Sequence, residues 1–177
     1  MADWDARYAE AGWAFGTEPN DFLREQAQHL PAGGQVLCLA EGEGRNAVWL
    51  AQQGFHVTGI DVASVGLEKA QQLARERGVR ITTVVADLAS FELGSAAWDS
   101  IVSIFAHVPA SVRRRVHASV LSALKPGACC CSRPTVRSSW STPPAVRPTT
   151  SACSISAGCA PNWARSSGFW RAKSNGT

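Results

Sequence analysis

Acidic residues run out long before the sequence does: all fourteen Asp and Glu lie between Asp3 and Asp99, and none follows up to Thr177. Long apolar runs are also lacking. No stretch reaches the roughly eighteen consecutive apolar residues that a membrane-spanning helix needs, so no membrane association is expected. The first residues, Met1-Ala-Asp-Trp-Asp5, carry charge where a secretory leader carries an apolar core. The expectation is a cytoplasmic protein. Histidine is sparse, and none of the four lies beyond His117. Five of the six cysteines do lie there, three of them consecutive at Cys129–Cys131. Zinc sites space their cysteines two to four residues apart and disulfide scaffolds belong to secreted chains, so neither is expected, and no metal ligands are assigned.

The missing acids split the charge. Residues 1–127 hold eleven Lys and Arg against fourteen acids, whereas residues 128–177 hold six bases and no acid, so the overall +3 reports on the second part. A nucleic-acid-binding domain needs a basic stripe on a folded face, and the part that reads as folded is mildly acidic. No nucleic-acid partner is expected. At 177 residues the chain has room for one ordinary domain.

What is present reads as alternating strands and helices. Asp21 can cap a helix running to about His29, with Phe22, Leu23, Ala27 and Leu30 on one face. Val36-Leu37-Cys38-Leu39-Ala40 is all apolar, as a parallel strand buried on both faces should be. Arg45 to Gln53 reads as a helix stopped by Gly54, and Phe55 to Asp61 as a second strand. Ser64 can cap a helix carrying Leu67, Ala70, Leu73 and Ala74 inward, closed by Gly78. Val79 to Ala86 and Ser100 to Phe105 read as strands three and four. A helix from Ala110 to Leu124 follows, with Val112, Val116, Val120, Leu121 and Leu124 inward and Arg113, Arg114 and Arg115 mostly outward. This order predicts an α/β fold: a Rossmann-like, doubly wound parallel sheet with flanking helices.

The chemistry concentrates at Leu39-Ala-Glu-Gly-Glu-Gly-Arg-Asn-Ala47, between a buried strand and a helix. Glycines there let the backbone turn tightly and approach a ligand, and the helix N-terminus offers free N–H groups. The next strand ends in Asp61, whose carboxylate can accept from both hydroxyls of a ribose. Gly42-x-Gly44-x-x-Ala47 also satisfies the dinucleotide fingerprint, so the motif alone fits either an NAD(P)-dependent oxidoreductase or an S-adenosylmethionine enzyme. Three features favour S-adenosylmethionine: about thirty helical residues before the first strand, Ala86-Asp87 closing the third where an adenine amino group can donate, and Leu-Lys-Pro-Gly after the fourth. A non-catalytic nucleotide-binding or interaction module is a third reading.

Trp4-Asp-Ala-Arg-Tyr8, Phe15-Gly-Thr-Glu-Pro-Asn20, Val36 through Ala47, Gly59-Ile-Asp61, Ala86-Asp87, Trp98 through Phe105 and Leu124-Lys-Pro-Gly127 together resemble a class I S-adenosylmethionine-dependent methyltransferase. The branch resembled contains the tellurite-resistance and thiopurine methyltransferase-like proteins. The resemblance covers residues 4–127. It implies methyl transfer to a small-molecule acceptor, with the cofactor held by Ala40, Glu41, Gly42, Gly44, Asn46, Asp61, Val62, Asp87 and Leu88. Cys38 departs from the family, where many enzymes carry an acid, and so does Ala40, where they carry glycine; Ala40 is tolerable if its φ stays negative. His107 is the candidate for contact with the acceptor or for a base, and a structural histidine is the alternative. Asp61 can instead cap the following helix, and Asp87 can be a turn acid. Trp13, Phe15 and the Trp4–Tyr8 stretch can close over the site or pack as helices do. Methyl transfer needs mainly positioning, worth roughly 7–11 kcal/mol at best, so no catalytic triad is required.

After Gly127 the pattern stops. Residues 128–177 contain no Leu and, as branched aliphatics, only Val136, Val146 and Ile155, a composition typical of disorder. The domain is therefore read as 1–127, lacking strands five to seven. A lost base near codon 127 or 128 accounts for this. In the displaced frame the first base of each codon becomes a middle base, and middle T encodes apolar residues. Cys codons begin with T, so Cys129–Cys131 and a TCN-encoded Ser132 would become an apolar fifth strand, and Trp140, Trp163, Phe169 and Trp170 apolar positions. The chain as written is expected to leave strand four with an open edge, a liability for aggregation, and to be weakly stable with little turnover. A genuine Ser/Pro-rich tail is the alternative.

Overall fold

The computed structural model describes residues 3–133 and 169–171. Helix α1 spans Trp4–Ala9 and α2 spans Asp21–Gln26, followed by a single tight helical turn at Ala27–His29. Then come β1 Gln35–Leu39, α3 Arg45–Gln52, β2 His56–Asp61, α4 Ser64–Glu76, β3 Thr82–Val85, β4 Trp98–Ile104, α5 Ala110–Ala123, β5 Leu124–Arg133 and β6 Phe169–Arg171. The sheet order is β3-β2-β1-β4-β5-β6. The pairings from β3 through β5 are parallel, and β6 runs antiparallel to β5. This is the Rossmann-like, doubly wound arrangement that the strand and helix pattern predicts.

The sheet is sandwiched, and β1 shows how. Successive side chains of a strand point to opposite faces. Val36 and Cys38 accordingly join a core with Leu23, Leu50, Ala70 and Leu73 from α2, α3 and α4. Leu37 and Leu39 join the opposite core with Ile60, Ile101, Val116 and Val120. Burial on both faces is the reason the strand tolerates no polar position after Gln35. Truncating a fully buried leucine such as Leu37 or Leu50 to alanine would cost about 2–5 kcal/mol.

Several local expectations need correction. The segment before β1 is not one helical stretch of about thirty residues; left-handed Gly12 and Gly16 divide it into two short helices joined by an extended strap. Asn20, not Asp21, caps α2, its side chain accepting from Phe22 N–H. Ser64 is the first residue of α4 rather than its cap; Asp5 from α1 accepts from the first-turn Val65 N–H at 3.0 Å instead. Leu121 is 42% exposed, on the outer side of α5. Arg115 is not part of a solvated face; it donates to the carbonyls of Leu88 and Phe91 at 3.1 and 3.2 Å and pairs with Glu92.

The largest correction concerns the edge of β4. Strand β5 lies along it in parallel register, Ser100 opposite Cys129 through Ile104 opposite Arg133, so the edge is covered. The sheet therefore passes through the expected boundary at Gly127. Cysteine behaves as a small apolar residue, and Ala128 and Cys131, at 2% and 0% exposure, join the two cores from β5. Lys125 and Asp99 secure the start of the pair: the Asp99 carboxylate accepts from Lys125 Nζ at 2.8 Å and from the Gln35 N–H at 2.9 Å. Trp140 and Trp163 lie outside the described residues. Among the described residues no helix is long and apolar enough to cross a membrane.

Candidate functional site

A cavity of about 520 Å³ opens at the carboxyl ends of β1, β2, β3 and β4, where open α/β sheets bind their ligands. Its size falls in the roughly 300–1,000 Å³ range of small-molecule pockets. Of the expected cofactor residues, Ala40, Glu41, Asn46, Asp61, Val62, Asp87 and Leu88 line it, as does His107. Gly42 and Gly44 shape the loop without lining the cavity. A side chain at Gly42 would meet the Tyr8 hydroxyl at 2.5 Å, and one at Gly44 would meet the Ala70 Cβ at 2.5 Å, both residues having positive φ. Glycine at 44 thus lets α3 and α4 approach, and glycine at 42 lets Tyr8 settle over the loop.

Ala40 carries the strain that its departure from glycine foreshadows. Its φ is +52°, not negative. A residue with a Cβ is crowded in this left-handed region at a cost of roughly 1–2 kcal/mol.

Glu41 holds the loop from within. The cap position of α3 is Gly44, which has no side chain to offer. Glu41 Oε1 accepts from the N–H groups of Asn46 at 3.0 Å and Ala47 at 2.7 Å and so caps the helix from five residues upstream. Burial pushes this carboxyl up to about 7, partly offset by the Ala47 and Asn46 N–H groups. Cys38 is fully buried beside it. This geometry separates the two cofactor readings. A dinucleotide pyrophosphate needs the free N–H groups of the first helical turn, and here the Glu41 side chain already takes two of them, those of Asn46 and Ala47.

Asp61 uses its two oxygens to brace both sides of the loop, Oδ2 accepting from Gly42 N–H at 2.8 Å and Oδ1 from Ala63 N–H at 2.9 Å. The expected cap role falls to Asp5 instead, whose Oδ1 accepts from Val65 N–H at 3.0 Å in the first turn of α4, and each Asp61 oxygen keeps a second lone pair for a ligand. Burial raises its pKa, opposed by those N–H bonds. Val62, next in line, leaves an apolar side chain 52% exposed on the cavity. Asp87 forms a turn, its Oδ1 accepting from Ala89 N–H at 2.8 Å, and Arg115 staples the carbonyls of that turn from α5.

The remaining motif side chains face the N-terminal strap, a role that sequence reasoning missed. Glu43 Oε2 accepts from Ala14 N–H at 2.7 Å, Arg45 donates to the Phe15 carbonyl at 3.0 Å, and Asn46 Oδ1 accepts from Asn20 N–H at 2.9 Å. Lys69 adds a half-buried ion pair with Glu43 at 3.0 Å and donates to the carbonyls of Glu10 and Gly12. The strap and the α1 helix before it in turn line the cavity, with Phe15 from the strap and Trp4 and Tyr8 from α1. Burial pushes the Tyr8 phenol well above its ordinary value, with Asp61, Glu43 and Glu41 adding to the effect. The one signal in the sequence was the density of charge in a loop that glycines make compact.

Carboxylates gathered at the ends of adjacent parallel strands, with an apolar shelf at Val62, fit a cationic nucleoside better than an anionic one. A Rossmann-like sheet with such a site belongs to the class of nucleoside-cofactor-binding domains. The chain belongs to the methyltransferase domain family, whose profile matches residues 36–127, just over half of its length. It is similar to 2-heptyl-1-hydroxyquinolin-4(1H)-one methyltransferase of Mycobacteroides abscessus, with 28% identity over 123 residues, 68% of this chain and 54% of that protein. Over 54 residues it is 41% identical to thiopurine S-methyltransferase of Bordetella parapertussis, 30% of this chain and 23% of that protein. Among solved structures, an S-adenosylmethionine-dependent methyltransferase from Mesorhizobium loti superposes with a TM-score of 0.57 at 26% identity, covering 66% of this chain and 54% of the other. The chain spans about half, or less, of the length of the curated relatives it matches. Solved relatives from Methanosarcina mazei and Mesorhizobium loti are named as S-adenosylmethionine-dependent, and S-adenosylmethionine is the cofactor of this family.

Proposed function

We propose that the cavity binds S-adenosylmethionine for methyl transfer to a small-molecule acceptor. The observation that carries this reading is the Glu41 cap on α3, which blocks a pyrophosphate while leaving Asp61 and Val62 open to a nucleoside. Bound there, the cofactor supplies a sulfonium-activated methyl group that a nucleophile can take directly. The protein's part is to hold and to exclude water. Asp61, fixed by Gly42 and Ala63, would accept from the ribose hydroxyls. The Asp87–Leu88 turn would face the adenine, with Val62 beneath it. Ala40 and Glu41 would flank the methionine part. His107, exposed on the acceptor side beyond β4, would take a proton from the acceptor at an imidazole nitrogen or orient it.

The two curated relatives named above carry small-molecule acceptors in their names, which supports an acceptor of that size. The reading includes low turnover for this chain, because the acid-free segment after Arg133 has replaced the sequence expected to complete the acceptor side. The experiment is calorimetric titration with S-adenosylhomocysteine, repeated with Asp61→Asn. Saturable binding weakened in the variant supports the reading, and failure of the native chain to bind contradicts it.

A further inference from the structure

The cavity has two chemically different halves. The glycine-loop residues of its lining are acidic, whereas an aromatic set comes from elsewhere: Trp4 and Tyr8 from α1, Phe15 from the strap, and Phe105 and His107 from the segment beyond β4. The Trp4 ring stacks on Tyr8 at 5.7 Å and 26° and packs tilted against His107 at 5.5 Å and 40°, so ring contacts join α1 to the segment after β4. Phe15 is 49% exposed, and its position is set by Arg45. The guanidinium donates to its carbonyl at 3.0 Å and stands 5.9 Å above its ring. Phe105 sits at φ +53°, a conformation that costs a bulky residue of order 1–3 kcal/mol and that persists where a site over-determines it.

Charge narrows the choice further. Glu41, Glu43, Asp61 and Asp87 line the cavity, and Arg45 is the Lys or Arg that does so among the described residues. Arg45 is committed to Phe15, and Lys69 to Glu43 and two carbonyls. An acceptor bearing a carboxylate or phosphate would meet like charge, and among the described residues the Arg45 guanidinium, already held at Phe15, is the one Lys or Arg side chain lining the cavity to receive it. A flat, uncharged ring would find faces to stack on, an interaction worth roughly 0.5–1.5 kcal/mol per pair beyond area burial.

Resting on the methyltransferase reading, we infer that the acceptor is a neutral, planar aromatic or heteroaromatic ring carrying a hydroxyl or ring N–H. It seats between Trp4 with His107 on one side and Phe15 on the other, and Trp4 and Phe15 are specificity-determining residues.

The test titrates the full chain, saturated with S-adenosylhomocysteine, with three probes followed by calorimetry. Naphthol is neutral and flat, decahydronaphthol is neutral and puckered, and hydroxynaphthoate is flat and anionic. Naphthol should bind at least about tenfold more tightly than either of the others, and Trp4→Leu or Phe15→Leu should each weaken it by about three- to tenfold. S-adenosylhomocysteine affinity should stay within about twofold in both variants, which also reports that they fold. Equal binding of decahydronaphthol or hydroxynaphthoate, or indifference of naphthol to both substitutions, overturns the proposal. Naphthol failing to bind a chain that does bind S-adenosylhomocysteine overturns the proposal alone. Failure to bind S-adenosylhomocysteine overturns the methyltransferase reading and the proposal with it.

Discussion

Glu41 Oε1 accepts the backbone N–H of Ala47 at 2.7 Å, so the glycine loop carries its own carboxyl at the helix end where a phosphate would otherwise rest. The same residue gives a pH signature. Its carboxyl, raised from the usual range near 4.5 to about 7 by burial, binds a proton in the folded state that the unfolded chain has released. Between those values folding takes up a proton, so this contribution to stability is full below about 4.5 and declines as pH rises through 7. Glu41→Gln keeps a carbonyl for the Asn46 and Ala47 N–H groups and removes the charge. It should match the native chain at pH 5 and exceed it by on the order of 1–3 kcal/mol at pH 8, measured by denaturant unfolding at the two pH values. A native advantage at pH 8 would contradict the assignment.

Ala40 sits at φ +52°. Ala40→Gly should raise stability by about 1 kcal/mol, the relief of left-handed strain less the extra entropy of glycine in the unfolded chain. A shift of the urea midpoint to higher concentration at unchanged slope checks it. A destabilised variant would mean that the strain is absent.

Arg115 reaches from α5 to the carbonyls of Leu88, Ser90 and Phe91, the turn that begins at Asp87. Arg115→Met should weaken S-adenosylhomocysteine binding by about three- to tenfold, the equivalent of one or two lost hydrogen bonds. Lysine cannot span the same carbonyls with a fork of donors, so Arg115→Lys should restore little of the loss. Unchanged affinity in both variants would show that the turn holds without this staple.

The segment after Gly127 makes a genetic prediction. An out-of-frame reading turns Cys129–Cys131 and Ser132 into larger apolar residues at positions that β5 already pairs with Ser100 through Ser103. Sequencing the gene across codons 125–132 should reveal one missing base. An uninterrupted frame shared by independent isolates would contradict it.

Much of the fold was legible because its cause is local. The unbroken apolar run at Val36–Leu39, the amphipathic spacing of Leu67, Ala70, Leu73 and Ala74, and the acid at the end of β2 each announce their place through periodicity. The gathering of Ala40, Glu41, Asp61, Asp87 and Leu88 about one cavity follows from strand ends meeting on one side of a parallel sheet. What escaped depends on distant partners. Arg115 looks outward by helical spacing, and only the 88–91 turn, more than twenty residues away, draws it in. Glu43, Arg45 and Asn46 read as cofactor-loop residues, and only the folded strap reveals what their side chains hold. Strand β5 was hidden by composition, since cysteine and alanine lack the bulk that marks a buried strand.

The most direct test of the account pits its two cofactor readings against each other: calorimetric titration of the full chain with S-adenosylhomocysteine and, separately, with NAD. The account predicts saturable binding of S-adenosylhomocysteine, weakened at least about tenfold in Asp61→Asn, and no heat of binding from NAD. Saturable binding of NAD, with none of S-adenosylhomocysteine, would contradict it.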